Sequence, residues 1–288
     1  MTTSLSNIFV PSSIDGNVVR FVGPHRCGIS LPTRLFGGQT AAQMFKIGKM
    51  LNPGCVVLTV KTHFVAAGTV TDPIDYHATR IPGTNFMIVN GIQNERHIAS
   101  GKVLFGAKED LLKLETEAMS DVKSPLHYPT VSEHLKTYKD VSLKNLITSI
   151  SRGFFETRPI DFKHFSFQSE DDKPFRTWFT VSREYRNRME DADGESVVIL
   201  MSDHIVMQSA YITLIQKGYQ EMMQQGASLN HIVHFHVVDD IDPLGWFLYE
   251  STCDRQSSAR FLIDAKIYDQ SGRCILSSTQ EGLITKNG

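Results

Sequence analysis

HIVMQSAYITLIQKGYQEMMQQ, residues 204–225, is the stretch on which the reading of the fold turns. Ile205, Val206, Met207, Ala210, Tyr211, Ile212, Leu214 and Ile215 leave its first turns almost no polar face, and a helix that is apolar nearly all round is a buried one. Four strand-like runs follow it, HIVHFHVV, WFLYEST, SARFLIDAKIYD and CILSSTQEGLI. A strongly curved antiparallel sheet can surround a single helix, and helix followed by four strands is the chain order that builds such a unit. The same order occurs earlier. Residues 39–51 (QTAAQMFKIGKML) put Ala41, Met44, Phe45, Gly48 and Leu51 at helical spacing, and VVLTVKTHFV, IDYHATRI, NFMIVNGI and GKVLFGA follow, the last introduced by Ser100-Gly101 read as a turn. His63-Phe64 recurs as His234-Phe235, and Ser100-Gly101 as Ser271-Gly272, in both cases 171 residues later. The expected class is α+β, with two tandem repeats that each wrap a curved antiparallel sheet around a central helix. The first is expected over 1–107 and the second over 151–288. A polar connecting segment over 108–150 carries an amphipathic stretch from Ser132 to Ile150.

Composition narrows the field of functions. With 288 residues, 41% hydrophobic and 21% charged, the chain has ample material for a core and is neither a disordered tail nor a fibrous repeat. Lys+Arg 29 against Asp+Glu 31 leaves a net charge of −2 without a basic stripe, which argues against nucleic acid as a partner. Cys27, Cys55, Cys253 and Cys274 form no CxxC pair and read as reduced thiols. The amino-terminal MTTSLSNIFVPSSIDG has neither a basic nor an apolar leader region, and no run approaches about 18 uninterrupted apolar residues, so membrane insertion is not expected. A cytoplasmic location is expected. A peroxisomal one is the alternative, although Lys286-Asn287-Gly288 is not an SKL-type address.

GxGxxG after a strand, GxxxxGK[ST], GxSxG and HExxH are all missing from the sequence, so the common nucleotide-binding, α/β-hydrolase and metalloprotease readings lack support. His231, His234 and His236 look like a metal cluster, but strand alternation puts His231 on the face opposite the other two, and no metal is expected. Asp203, in Ser202-Asp203-His204 at the expected start of the apolar helix, reads first as an N-cap. The same position has a second reading. A carboxylate near a helix amino terminus is held ionised by the dipole and is available as a general base. Gln280 reads as a strand residue and Ser228 as a turn or strand-start residue.

Several short blocks, taken in order, are familiar. They are Phe36-Gly37-Gly38-Gln39, Phe155-Glu156-Thr157-Arg158-Pro159, Ser202-Asp203, Ala227-Ser228-Leu229-Asn230-His231, Phe235-His236, Trp246-Phe247-Leu248-Tyr249, Ala259-Arg260 and Gln280-Glu281-Gly282-Leu283. With these the sequence resembles the acyl-CoA thioesterase II family, whose members are double hotdog proteins. The resemblance implies hydrolysis of fatty acyl-CoA to free fatty acid and CoA by direct attack of water, without a cofactor, and an acyl-CoA substrate as partner. It also implies that Asp203, Ser228 and Gln280 bind the attacking water. A thioester needs little acid assistance because its thiol ionises near pKa ~8.5. The chemistry then requires a base, groups that hold the water and donors for the oxyanion. Backbone amides of the Phe36-Gly37-Gly38 turn are the expected oxyanion donors, with Gly38 and His231 expected to contact substrate.

Subtracting the 171-residue offset assigns Val57 and Glu109 as the first-half counterparts of Ser228 and Gln280, and hence one active site per chain. Some positions depart from the family pattern. Ser228-Leu229-Asn230-His231 stands for Ser-Leu-Asp-His, Phe235-His236-Val237-Val238 for Phe-His-Arg-Pro, and Arg260-Phe261 for Arg-Gly. Ala66-Ala67-Gly68 stands where Arg-Pro-Gly is usual. Two other functions fit such a fold. One is a catalytically silent acyl-CoA-binding protein. The other is a hydratase or dehydratase using His204 beside Asp203. A homo-oligomer is expected because sheets of this kind pair through exposed edges and faces.

Overall fold

In the computed structural model the described residues are 6–28, 32–107, 119, 121–139, 144, 147–148, 153–169, 171, 173–189, 191–219, 225–238 and 240–285. Their strands are β1 Ser13–Asp15, β2 Val18–Phe21, β3 Val56–Phe64, β4 Ile74–Arg80, β5 Phe86–Gln93, β6 Arg96–Gly106, β7 Phe155–Pro159, β8 Phe175–Val181, β9 Gln225–Phe235, β10 Phe247–Ser257, β11 Arg260–Asp269 and β12 Cys274–Thr285. All pairings are antiparallel and form one continuous sheet in the order β1-β2-β4-β5-β6-β3-β9-β12-β11-β10-β8-β7. The halves join where β3 lies beside β9, with Val60 opposite Val233 and Thr62 opposite His231. Alternation sets the inner face. Along β11, Phe261, Ile263, Ala265 and Ile267 are buried while Arg260, Leu262, Asp264 and Lys266 are exposed, the period of a half-buried strand.

The helices are α1 Ser6–Phe9, α2 Gly37–Leu51, α3 Val131–Leu135, α4 Phe162–Phe165, α5 Gly194–His204 and α6 Met207–Gln216. The expected helix over 204–225 is displaced. Its main body lies upstream in α5, where every residue is buried, and Ile205 and Val206 interrupt the helix before α6. Asp193 caps α5, accepting from the Ser196 amide at 2.8 Å. At the far end Gly218 takes φ +77°, and the Gly218 and Tyr219 amides donate to the Ile215 and Leu214 carbonyls, so a Schellman turn stops α6 well before residue 225. The segment Gly194–Gln216 is long and apolar enough by composition to cross a membrane, yet 72% of its most apolar window is buried in this fold. That window is a core helix pair.

Helix α2 packs against β3, β6 and α5, while α6 packs on β10 and β11. One apolar core runs through both halves, with Phe45 of α2 against Phe235 of β9 at 5.4 Å between ring centroids. Lys46 of α2 reaches the Asp193 carboxylate at 2.9 Å, so α2 and α5 run antiparallel with opposite charges at this end. Burial pushes the Asp193 carboxyl up, but Lys46 and the hydrogen bonds from Ser196 together outweigh that and hold it below the usual range. Of the expected amphipathic stretch 132–150, the described part includes most of α3, which starts from a Thr130–Glu133 capping box, and buried Ile147. Much of the expected connecting segment lies outside the described residues.

The sheet register corrects the repeat. β3 and β9 carry the same bulge, at Leu58 and Leu229, so the 171-residue offset holds for this strand pair. It does not hold further on. Ser100-Gly101 lies inside β6, opposite His63 and Thr62, whereas Ser271-Gly272 lies in the turn between β11 and β12. His231 pairs with Gln280, and its counterpart Val60 pairs with Val103, so Val103 rather than Glu109 is the counterpart of Gln280. Glu109 itself lies outside the described residues.

The β10–β11 connection is a two-residue hairpin loop in which Ser258 (φ +53°) and Ala259 (φ +60°) both occupy the left-handed region. An L side chain at Ala259 is strained there. Ala259→Gly is expected to stabilise the fold by about 1 kcal/mol, read as a higher Tm; an unchanged or lower Tm would show the turn to be unstrained.

Candidate active site

Asp203 sits in the last turn of α5 and not at a helix start, so the capping role expected for it belongs to Asp193. The end of its own helix offers no amide donors. Those come from the amino terminus of α2, where the Gly38 N–H donates to Asp203 Oδ2 at 2.5 Å. Glycine permits this approach. A Cβ at Gly38 would lie 2.7 Å from the Phe36 ring and 3.0 Å from Asp203 Cβ, and one at Gly37 would lie 2.8 Å from the Phe64 ring. Buried Gln39 fixes the turn before α2, accepting from the Arg26 amide at 2.7 Å and meeting His25 Nδ1 at 2.9 Å.

Gln280 projects from β12 and is fully buried. Its Nε2 donates to Asp203 Oδ1 and to Ser228 Oγ, both at 2.5 Å. Ser228 lies within β9, and its orientation follows from the bulge. His231 and Gln280 are cross-strand partners on the inner face; three residues before His231, strict alternation would turn Ser228 outward. The extra residue Leu229 restores Ser228 to the inner face, opposite Gly282. The structure thus brings Asp203, Ser228 and Gln280 together. At the matching first-half positions stand Val57 and Val103, both buried and apolar.

Burial raises the Asp203 carboxyl to about 6, against the lowering effect of hydrogen bonds from Gln280, Gly38 and Ser228. At pH 7 about nine in ten such groups are ionised. Because the folded value lies above the unfolded one, stability tied to protonated Asp203 is complete below about pH 4 and is lost as pH rises through 6. Carrying the charge at neutral pH costs about 3 kcal/mol.

Asp203 opens onto a cavity of about 320 Å³ between the halves. Leu35, Phe36, Gly37 and Phe64 come from the first half, and Ile205, Met207, Tyr211 and Ser228 from the second. Two residues expected to contact substrate lie off the cavity lining. Gly38 does not line the cavity, because its amide is turned to Asp203; Gly37, the first residue of α2, lines it instead. His231 is fully buried and away from the wall, with Nε2 3.0 Å from Ser202 Oγ. Burial lowers its imidazole to about 4 and keeps it neutral. His204 does line the cavity, edge-on to Phe155 at 5.0 Å. Contributions from Phe64, Met207 and Tyr211 were not foreseen; their only signal was apolar character, which core residues share.

His234 and His236 are exposed on the outer face, beside Thr59 Oγ1 and Ser277 Oγ. Among the described residues no group of three or more His, Cys, Asp or Glu side chains is placed to hold a metal.

Comparison with known proteins bears on the same chemistry. A family profile described as the acyl-CoA thioesterase C-terminal domain matches residues 130–284, more than half of the chain and the part that supplies Asp203, Ser228 and Gln280. Human acyl-coenzyme A thioesterase 8 is 23% identical over 264 residues, 87% of this chain and 80% of that protein. Acyl-CoA thioesterase 2 of Haemophilus influenzae is 23% identical over 265 residues, 87% of each. Among solved structures, an acyl-CoA thioesterase II from Mycobacterium marinum superposes with a TM-score of 0.70 at 20% identity, covering 98% of both chains. A hot dog fold protein from Alicyclobacillus acidocaldarius gives 0.72 at 16% over all of both chains. The structural likenesses establish the double hotdog fold; together with the matched profile, they place this chain in the acyl-CoA thioesterase family.

Proposed function

We propose that this acyl-CoA thioesterase cleaves its substrate by direct attack of water, with Asp203 as general base and Ser228 and Gln280 holding the water. The observation that carries the reading is a buried carboxylate bonded to Gly38 and Gln280, beside Ser228, in the wall of an otherwise largely apolar cavity. Fatty acyl-CoA supplies both parts of a fitting ligand, an apolar chain for the cavity and a thioester to lie against Asp203.

Asp203 takes a proton from water as the oxygen adds to the thioester carbonyl. In this reading the amide of Gly37, at the α2 terminus where helical amides lack intrahelical acceptors, receives the oxyanion. Collapse of the tetrahedral intermediate breaks the C–S bond. CoA leaves as thiolate, fatty acid is released, and the proton on Asp203 passes to the thiolate or to solvent. A thiol pKa of ~8.5 makes this departure feasible without a separate acid.

Three outcomes follow. Asp203→Asn should lower kcat for thiol release by at least about 100-fold while melting no lower than wild type at pH 8, since it removes a buried charge. Activity within about threefold of wild type would contradict the assignment. The acid limb of kcat/KM should have its midpoint near pH 6, because the base works only when deprotonated and its pKa is raised; a plateau extending below pH 5 would contradict it. Gln280→Leu removes a donor that holds the Asp203 pKa down, so its acid limb should move to higher pH, measured on the residual activity; a limb moved the other way would count against the arrangement.

A further inference from the structure

The cavity has an open and a closed side. Arg34 is exposed at the open side, whereas at the other side Ile205 and Val206 are buried and Met207 and Tyr211 half-buried. Behind the closed side lies a second apolar cluster, separate from the main core, formed by Val206, Ala210, Leu214, Cys253, Phe261, Ile263 and Ile284. Met207 and Tyr211 pack on its edge. Val206, Met207 and Tyr211 therefore have two sides, one facing the cavity and one facing the cluster.

Phe261 is the largest side chain of that cluster, 3% exposed, and projects from the inner face of β11. Met207 and Tyr211, both half-buried, are seated on bare backbone of the neighbouring strands. A Cβ at Gly226 would lie 2.7 Å from Tyr211 Oη, and one at Gly282 would lie 2.8 Å from Met207 Sδ. Phe261 is the cross-strand partner of Gly282 on the same inner face, so its ring stands beside the Met207 side chain seated there.

We propose that Phe261 sets the acyl-chain length the enzyme accepts, by filling the space behind Val206, Met207 and Tyr211 and so fixing the closed end of the cavity. The proposal rests on the reading that this cavity takes the acyl chain. With glycine at this position the same space would be open to a longer tail. Each methylene newly accommodated contributes about fourfold in binding, so a shortened side chain acts on long substrates and leaves short ones unaffected.

The test is kcat/KM for thiol release over straight-chain acyl-CoAs from acetyl to palmitoyl, for wild type, Phe261→Ala and Phe261→Leu, with affinity for the same series measured in parallel. The long-to-short ratio should rise about tenfold or more in Phe261→Ala and by less in Phe261→Leu, with the short-chain values within about threefold of wild type. An unchanged ratio in variants that melt cooperatively, or an equal loss at every length, overturns the proposal. If Phe261→Ala fails to fold, Phe261→Leu decides. A wild type that binds acyl-CoA and releases no thiol removes the hydrolytic reading instead, and the affinities alone then decide the role of Phe261.

Discussion

A carboxylate taken out of water must find donors in the protein, and for Asp203 one of them comes from the other half of the chain, the Gly38 amide at the start of α2. This bond needs the two helices to run antiparallel with their ends in register. At the opposite end Lys46 of α2 pairs with Asp193, the cap whose carboxylate faces the positive pole of α5. The glycines at 37 and 38 let the ends close, and buried Gln39 holds the approach. Neither half alone supplies both the carboxylate and its amide. The cavity that Asp203 faces is likewise walled by both.

Duplication of the fold has not meant duplication of the chemistry. The β-bulge that turns Ser228 inward recurs at Leu58 in the first half, so the backbone device is present twice. What differs is the side chain on it. Val57 and Val103 give an apolar interior where Ser228 and Gln280 give a polar pair, and the first half contributes helix-terminal amides and cavity wall. The buried charge costs stability, and Gln280 and Gly38 lower that cost while leaving the pKa near the working range of a general base.

The double repeat was legible from the sequence because strand alternation and the all-round apolar character of residues 205–215 are local signals. Asp203, Ser228 and Gln280 emerged through resemblance to a family, since a lone Asp, Ser or Gln in a strand or helix has no local pattern of its own. The end of the helix at which Asp203 lies was misjudged. Glu195, Ser196 and Ser202 interrupt the apolar run of α5 and hide it, so the helix seemed to begin where it ends. Gly101 resembled a turn residue but lies within β6, where a Cβ would be 2.3 Å from Met44 Sδ; it is glycine because a helix side chain presses on the strand. An offset read from two dipeptides cannot register insertions between strands, which is why Glu109 was chosen over Val103. Strand alternation set His231 on the face opposite His234 and His236; that this face is the interior, against Ser202, was not visible in spacing.

The central claim is that one buried carboxylate, held by an amide from the other half and by Gln280, is poised to take a proton from water near neutral pH. Carbon-13 NMR of the aspartate carboxyl carbons tests it most directly, by titrating wild type and Asp203→Asn across pH 3–9. The account predicts a resonance in wild type with a midpoint near 6 that is missing from the variant. If the resonance that disappears in Asp203→Asn titrates near the ordinary aspartate value of about 4, the carboxylate is not desolvated as described, and the account of the site fails.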